Sequence, residues 1–222
     1  MPLASPKTAR IGRPPASASQ GDPRTHLLDA ATRLFAERGV ADTTVAQIAA
    51  TAGVTPAMVH YYFKNREQLL DAVVDERIAR VVAVIWAPIE QQTADPISAV
   101  PVLVARVIGC VESMPWLPSL WLREILNEGG QLRARVIARI PSSDVQRFAR
   151  EVATAQARQQ INPDVEPRLV YISIFGLTML LLATTSIRAR LLHTADLDHD
   201  ALARHVTALL TQGLGGIHGR LP

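Results

Sequence analysis

A dense run of helix start and stop signals lies between residues 44 and 56 and constrains the fold more than any other feature of the chain. Thr44 is followed three residues later by Gln47, the capping-box spacing in which two side chains satisfy the first N–H groups of a helix. Gly53 ends that helix, and Thr55 and Pro56 supply the N-cap and first position of another. The spacing predicts two short helices joined by a tight turn.

A longer helix flanks this pair on each side. Pro23 suits the first turn of the leading helix, and Gly39 lies where a C-cap glycine is expected. Asn65, with Gln68 three residues later, caps the trailing helix. Two short helices braced by longer ones form a helix-turn-helix arrangement. The apolar residues that recur at helical spacing in the leading helix are Leu27, Leu28, Ala31, Leu34 and Phe35.

The rest of the chain is apolar and has helical rather than strand periodicity. Of the 222 residues 48% are hydrophobic and 19% are charged, a composition typical of a globular protein. After about Leu69, breaks at proline and glycine separate five or six predicted helices. The predicted fold is all-α, with a flexible basic arm over residues 1–22, a three-helix helix-turn-helix domain over residues 23–69 and a larger helical domain over residues 70–222.

Basic residues are concentrated towards the N-terminus. The net charge is only +3, but residues 1–66 hold eight Lys and Arg against four Asp and Glu. Such a region on a near-neutral body suits a polyanionic partner, although ordinary surface charge would give the same count. The single Cys110 excludes an internal disulfide, and no apolar segment of a secretory signal follows the N-terminal charges. We therefore expect a cytoplasmic protein.

Residues 169–187 contain no charged side chain and are long enough to cross a bilayer. They also include five Ser and Thr residues, and a helix buried in a core or a dimer interface has the same composition. We favour a buried helix over a membrane span. An apolar face with Phe175 and Leu180 near its centre is expected to be covered, most simply by a second copy of the chain.

Metal and catalytic motifs find little support. An Asp-x-Asp-x-Asp run begins like a calcium loop, but Ala201 stands where the loop needs glycine and Thr207 where it needs glutamate. We interpret the run as a loop followed by helix-capping carboxylates. Serine-hydrolase, phosphate-loop and zinc-protease motifs are absent, so neither an enzyme nor a cofactor is predicted. The residues of this cluster are His193, Asp196, Asp198, His199, Asp200 and His205.

Residues 43–70, TTVAQIAATAGVTPAMVHYYFKNREQLL, resemble the signature of the TetR (tetracycline-repressor) family of transcriptional regulators. The resemblance covers about residues 24–75. It implies that the helix after Gly53 enters the major groove of DNA. The DNA-binding residues implied by the resemblance are Thr44, Thr55, Pro56, Ala57, His60, Tyr61 and Lys64.

The types of these residues agree with that implication. Short side chains at residues 55–57 allow the backbone to approach the bases closely, while His60 and Tyr61 project from the exposed face. Val59 and Phe63 are expected to face inward and to fix the helix against the core.

Lys64 lies beside the next helix N-terminus, where phosphate is attracted, and Thr44 heads the second helix. Taken singly, each residue could instead serve as a cap, a core residue or a solvated side chain.

Arg13 lies in the arm within Gly12-Arg13-Pro14-Pro15. A Gly-Arg-Pro core resembles the minor-groove hook of architectural DNA-binding proteins, because proline keeps the backbone extended and lets the arginine lie deep in the groove. The match is short, and a solvated tail is the alternative.

The resemblance further implies a ligand pocket among the later helices and a homodimer formed through residues 166–188 and 198–214. The expected function is a repressor released from a palindromic operator by a small hydrophobic effector. An activator or co-ligand-dependent regulator of the same fold is the alternative, followed by a small-molecule-binding protein that does not act on DNA. The candidate pocket residues, for which plain core packing is the other explanation, are Trp86, Cys110, Met114, Trp116, Trp121, Phe148, Phe175 and Met179.

Overall fold

The computed structural model describes residues 22–87 and 95–215, and within these ranges it contains twelve α-helices and no strand. Two π-helices, Val74–Ile78 and Trp121–Leu126, and a 3-10 helix, Pro167–Leu169, connect some of them. The all-α prediction is therefore confirmed. The α-helices are α1 Pro23–Arg38, α2 Val45–Thr51, α3 Pro56–Phe63, α4 Arg66–Val73, α5 Ala79–Ile85, α6 Pro96–Ser113, α7 Leu117–Leu120, α8 Arg133–Ile137, α9 Ser142–Ala157, α10 Val170–Ala183, α11 Thr185–Leu192 and α12 His199–Leu214.

The predicted caps of the first four helices are nearly all present. Pro23 occupies the first turn of α1, and the Gly39 N–H, at φ +91°, donates to the carbonyl of Phe35. Both bonds of the capping box form at α2, where the Gln47 N–H donates to the Thr44 hydroxyl oxygen at 3.2 Å. Asn65 caps α4 as expected. These local signals fix where each short helix begins because they satisfy its first unpaired N–H groups.

The described residues form two apolar clusters. One unites α1–α4 with the first π-helix and with four residues that come much later in the chain, Leu120, Ile125, Leu132 and Val136. The other is built around α6, whose buried residues pack against α10 and α12. The helix-turn-helix is therefore seated on the segment 117–137. The boundary between residues 69 and 70 remains a prediction.

More helices follow Leu69 than the five or six predicted from the sequence, since eight α-helices, α5 to α12, lie between residues 79 and 214. Several of the additional elements are short: α7 has four residues and α8 has five. A helix of that length shows less than two turns of apolar periodicity, so the sequence pattern does not distinguish it from a loop.

The uncharged stretch suggested one long helix over residues 166–188, but the structure has a 3-10 helix, α10 and α11 there. The chain bends by 69° between α10 and α11. Two hydroxyl groups bond to backbone carbonyls at the break: Thr184 donates to the Leu180 carbonyl at 2.7 Å and Thr185 donates to the Leu182 carbonyl at 2.8 Å. The Arg188 guanidinium also donates to the Leu181 carbonyl at 3.0 Å. Side chains that bond to backbone carbonyls in this way bend helices.

Among the described residues one helix, α6, is long and apolar enough to cross a membrane. The bent pair α10–α11 is long enough only if the two helices are counted as one span. The core helix of a globular protein can have the same length and composition. The helix α6 packs against α5, α9, α10 and α12, and its buried residues belong to the second apolar cluster.

Candidate DNA-binding surface and apolar cavity

The orientation of α3 separates an inner from an outer face. Val59 and Phe63 are buried against the first apolar cluster, as the sequence predicted. His60 is exposed, and the Tyr61 side chain is 81% exposed although it is a large aromatic residue. A positive φ of 70° at Gly53 makes the preceding turn tight enough to set α3 across α2. The helix therefore presents an imidazole and a phenol to its surroundings.

The N-terminus of α3 offers small and polar groups. Thr55, Pro56 and Ala57 are all exposed. Thr55 occupies the N-cap position, as predicted, but within the described residues its hydroxyl makes no capping hydrogen bond. Thr44 differs, because its oxygen accepts the Gln47 N–H while its own O–H proton is left for a further acceptor. Both hydroxyls can therefore donate to a phosphate oxygen that approaches this surface.

Lys64 joins α3 to α4 in a strained conformation. Its φ of 52° and ψ of −51° form a γ-turn, in which the Asn65 N–H donates to the Phe63 carbonyl. Lys64 is exposed. A positive φ is uncommon for a residue with a Cβ atom, and such strained residues cluster at functional sites. The turn holds the lysine backbone at the end of α3, beside the N-terminus of α4.

The loop between α1 and α2 is held by two side chains that the sequence analysis did not single out. The Arg66 guanidinium donates to the carbonyl of Thr43 at 2.7 Å and also to the carbonyl of Val40. From the other side, Glu124 accepts the Val40 N–H at 2.7 Å. Since Arg66 begins α4, this arrangement links Thr44 and α2 to the turn that follows α3.

Ion pairing reduces the basic excess counted from the sequence. Arg24 pairs with Glu76, and its guanidinium lies 5.2 Å from the centre of the Phe63 ring. The hydrogen bond from Arg24 holds the pKa of the Glu76 carboxyl below its ordinary value. Among the described residues, Arg33, Arg38 and Lys64 have no carboxylate within 4 Å and keep their charges uncompensated.

An apolar cavity of about 220 Å³ lies in the larger helical part, between α5, α9, α10 and the second π-helix. Arg168 is the one charged side chain among the described residues that line it, and its pairing with Glu166 lowers the pKa of that carboxyl to about 2. A cavity of this size and polarity suits an apolar small molecule. Its lining residues are Val81, Val82, Ile85, Trp86, Trp121, Ile140, Val145, Arg168, Tyr171, Ile172 and Phe175.

Aromatic rings contact one another around the cavity. The Trp86 and Tyr171 rings stack with their centres 3.8 Å apart, and the Trp121 and Phe175 rings meet edge to face at 4.7 Å. Burial raises the pKa of the Tyr171 hydroxyl above its ordinary range. Rings that already contact one another form a preorganised apolar wall.

Three of the eight predicted pocket residues line this cavity: Trp86, Trp121 and Phe175. Phe148 lines a smaller adjoining cleft with Trp86 and Tyr171. The other four pack in or against the apolar core rather than along the cavity; these are Cys110, Met114, Trp116 and Met179. Burial raises the pKa of the Cys110 thiol, as expected for a core cysteine.

Tyr171, Ile140 and Arg168 line the cavity and were missed by the sequence analysis. The first carried a usable signal, because Tyr171 lies four residues before Phe175 and therefore on the same helical face. Ile140 lies beyond the end of the short helix α8, and Arg168 lies in the 3-10 helix, so neither belongs to a readable periodic pattern.

The outer face of α10 and its continuation remains apolar. Leu169, Leu180 and Ile187 are more than half exposed, as is Ile172, which also lines the cavity. A groove beside α12 includes Ser173 and Leu209. Phe175 is not part of this face. The prediction that it lies near the centre of the exposed surface is wrong, because its side chain turns inward to Trp121 and is 6% exposed.

Among residues 22–87 and 95–215, which include the histidine and aspartate cluster near residue 198, no three His, Cys, Asp or Glu side chains come together as potential metal ligands. Asp198 caps α12 by accepting the Ala201 N–H at 2.7 Å, which agrees with the capping interpretation. Arg13 and the rest of the arm up to residue 21 lie outside the described residues.

Comparison with known proteins then decides the family. The sequence profile described as bacterial regulatory proteins, tetR family, matches residues 27–73. The HTH-type transcriptional regulator BetI of Brucella suis biovar 1 (strain 1330) is 31% identical over 139 residues, which span 61% of this chain and 69% of BetI. The chain belongs to the tetR family of bacterial regulatory proteins. It is accordingly a DNA-binding transcriptional regulator, and the proteins it is similar to are regulators rather than enzymes.

Other relatives and solved structures agree with this assignment. BetI of Rhizobium meliloti (strain 1021) is 41% identical, but only over 58 residues, or 26% of this chain and 29% of that protein. The ketosteroid regulator KstR2 of Mycobacterium tuberculosis superposes with a TM-score of 0.68 at 20% identity, covering 90% of this chain and 98% of KstR2. FadR of Bacillus subtilis gives a TM-score of 0.64 at 21% identity over 85% and 98% of the chains. At these identities the structures show the shared TetR-family fold.

Proposed function

We propose that this TetR-family regulator represses transcription as a homodimer bound to a palindromic operator, and that a hydrophobic small molecule in the cavity releases it. The observation that carries the proposal is the two-faced α3, which buries Val59 and Phe63 while leaving Tyr61 81% exposed. The exposed Tyr61 ring extends from the outer side of α3, where its hydroxyl can bond to a phosphate or a base edge.

Each proposed DNA contact has a physical role. His60 and Tyr61 face base edges or phosphates from the outer side of α3, while the small residues 55–57 allow the helix to approach. The hydroxyls of Thr44 and Thr55 donate to backbone phosphates. Lys64 adds a positive charge beside the N-terminus of α4, where N–H groups and charge act together on phosphate.

The dimer in this proposal forms through residues 166–188 and 198–214. Support comes from the exposed leucine and isoleucine side chains along α10 and α11 and from the adjoining groove at Leu209. A two-fold axis lets one such surface cover its own copy and places two α3 helices on successive major grooves, about 34–36 Å apart. We place the domain boundary near residue 69 and the protein in the cytoplasm.

The effector in this proposal is a largely apolar molecule. The cavity walls are aromatic and aliphatic, with Arg168 as the charged residue among those described at its lining. FadR of Bacillus subtilis, which shares this fold, has been crystallised with stearoyl-CoA, so the fold can accommodate an amphipathic ligand. Tighter binding of the effector to a form with misplaced α3 helices would weaken operator affinity by about 5- to 150-fold.

Selection of bound sequences from a random DNA pool at fixed salt tests the core of the proposal. We expect a palindrome whose half-sites are one helical turn, or a multiple of it, apart. On that operator, His60→Ala and Tyr61→Ala should each weaken binding without lowering the melting temperature. Ile137→Ala, which also truncates an exposed side chain, is the control and should change neither. Recovery of no preferred sequence would overturn the proposal.

The sign of regulation has its own test. Transcription from the selected operator, measured with and without the protein, should fall when the protein is present. An increase would instead establish the activator alternative, in which the same DNA contacts recruit rather than block transcription.

We also propose that Arg13 of the arm binds in the minor groove, and only the sequence of the arm supports this contact. Deletion of residues 1–20 should reduce affinity most for operators with A·T-rich flanks, because a narrow minor groove attracts arginine. Equal affinities for flanked and unflanked operators before and after deletion would mean that the arm is a solvated tail.

A further inference from the structure

Glu124 is the one acidic side chain among the described residues that is buried, with 5% of its surface exposed. Its carboxylate bonds to one residue that lies 84 positions earlier in the chain and to one that lies seven positions later. One oxygen accepts the N–H of Val40 at 2.7 Å, in the loop between α1 and α2. The other accepts the N–H of Gln131 at 2.9 Å, just after its own π-helix. Because each N–H group is bound by a different oxygen, a neutral amide in the same orientation would place its NH2 group against one of the two donors.

The loop that Glu124 holds has little room to shift independently. A Cβ atom on Gly39 would lie 3.2 Å from the Glu124 Oε1 atom. After the π-helix, the chain also passes close to Glu124, because a Cβ atom on Gly130 would lie 2.1 Å from the Glu124 carbonyl oxygen, so this position requires glycine. On its far side the loop is bonded to Arg66, and the Thr43 hydroxyl donates to the Gly39 carbonyl at 2.7 Å. A displacement of Glu124 therefore reaches Thr44 and the start of α4.

The same π-helix forms part of the cavity wall. Trp121, three residues before Glu124, lines the cavity and contacts the Phe175 ring of α10. Trp121 and Glu124 lie on one continuous turn of the π-helix. The next residue, Ile125, is buried in the cluster that contains α1–α4. A molecule that pushes on the Trp121 indole thus pushes on the element that carries the Glu124 carboxylate.

From this geometry we infer that Glu124 is the positioning residue through which a molecule bound in the cavity changes the position of the DNA-binding helices. Displacement of Trp121 withdraws the carboxylate from the Val40 N–H and releases the loop that sets α2 and α3. This inference rests on the proposed function of the cavity as an effector site. A residue that only stabilised the fold would support the loop equally whether the cavity was empty or filled.

A double-mutant cycle tests the inference without knowledge of the effector. Val145→Trp, on the α9 side of the cavity, serves as a built-in occupant, and Glu124→Gln weakens the carboxylate link. Operator affinity is measured for the wild type, both single variants and the double variant. We expect Val145→Trp to weaken binding by roughly fivefold or more when Glu124 is intact and by less than twofold when it is combined with Glu124→Gln. Glu128→Gln, which changes an exposed acid four residues away, is the matched control and should leave the Val145→Trp effect unchanged.

Amide hydrogen exchange gives a second test, because the exchange rate of the Val40 amide should depend on whether the cavity is filled only if Glu124 has the inferred role. In Val145→Trp the Val40 amide should exchange faster than in the wild type, while the Gly39 amide, which bonds to Phe35 within the α1 cap, should not change. If Glu124→Gln does not fold, Trp121→Phe replaces it, since shortening the ring at the cavity wall should also reduce the effect of Val145→Trp.

The outcomes separate the inference from the function on which it rests. Equal weakening by Val145→Trp with and without Glu124→Gln would overturn the role of Glu124 and leave the effector cavity intact. No weakening in either case would overturn both the inference and the effector role, while operator binding itself would stand. Uniformly faster exchange at all amides of Val145→Trp would overturn the inference, because filling the cavity would then act through overall stability rather than through the Val40 hydrogen bond.

Discussion

Arg24 and Glu76 join the first turn of α1 to the π-helix that continues α4, through two hydrogen bonds of 2.6 and 2.5 Å from the guanidinium to the carboxylate. The first π-helix and α5 connect α4 to the cavity wall at Trp86, while α1 packs against α2 and α3 of the helix-turn-helix. The pair therefore fastens the DNA-binding helices to the start of the larger helical part, and its strength depends on the charge of one carboxyl.

Glu76→Gln should make unfolding less dependent on pH in the acid range. The bond from Arg24 lowers the pKa of the folded carboxyl, so its stabilisation is present above the unfolded pKa of about 4.3 and is lost as the pH falls through the folded pKa. Both side chains are about one third exposed, which limits the effect to about 1 kcal/mol or less. Urea unfolding between about pH 7 and pH 3 measures it. A difference from the wild type that stays constant over this range would contradict the assignment.

Lys64→Gly should stabilise the fold while weakening operator binding. The γ-turn at φ 52° places a Cβ atom where L-residues are disfavoured, and glycine removes that cost, so the free energy of unfolding should rise by about 1 kcal/mol. Lys64→Ala is the control, because it removes the same charge but keeps the Cβ atom. Thermal melts and gel shifts of both variants check this. An alanine variant that is as stable as the glycine variant would mean that the turn is not strained.

Lys64→Ala should also reduce the salt dependence of DNA binding by about one ion, and should weaken all DNA sequences alike. A phosphate contact releases counterions, whereas a base contact changes sequence preference. Arg158→Ala removes another exposed positive charge, at the end of α9 and outside the proposed DNA-binding residues, and should leave the slope unchanged. Equal slopes for the wild type and Lys64→Ala would remove this lysine from the phosphate contacts.

Local rules account for most of what the sequence could predict. Thr44, Gly53 and Asn65 act on backbone groups within four residues of themselves, so their caps and turns were readable from spacing alone. The burial of Val59 and Phe63 followed from helical periodicity in the same way. These residues also carry the proposed DNA surface, which is why the surface was easier to predict than the cavity.

Contacts across long sequence separations could not be predicted. Nothing near Val40 indicates that Glu124 accepts its N–H, because the pairing depends on how the π-helix packs against α1. The cavity likewise needs three-dimensional packing, and Cys110 and Met179 have the composition of pocket residues while lying in the core. At the bend between α10 and α11 the hydroxyl groups of Thr184 and Thr185 were visible in the sequence, but their carbonyl partners were not.

The final prediction separates the inner and outer faces of α10. Leu180 is 52% exposed on the face proposed for the dimer, whereas Phe175, five residues earlier, is packed against Trp121. Leu180→Glu should therefore leave the protomer folded but place an unpaired charge in the interface, giving a monomer that no longer binds the operator. Phe175→Glu should instead place that charge in the core and lower the free energy of unfolding by several kcal/mol.

Light scattering, thermal melting and a gel shift on the same samples distinguish these results. Ile137→Glu adds a charge to an exposed apolar position on α8 and should remain dimeric and bind DNA, because that position lies outside the α10 and α12 face. A Leu180→Glu variant that still dimerises, or one that melts as early as Phe175→Glu, would exclude this face as the interface. A wild-type protein that is monomeric at micromolar concentration would exclude the dimer itself, and with it the arrangement of two α3 helices on one palindrome.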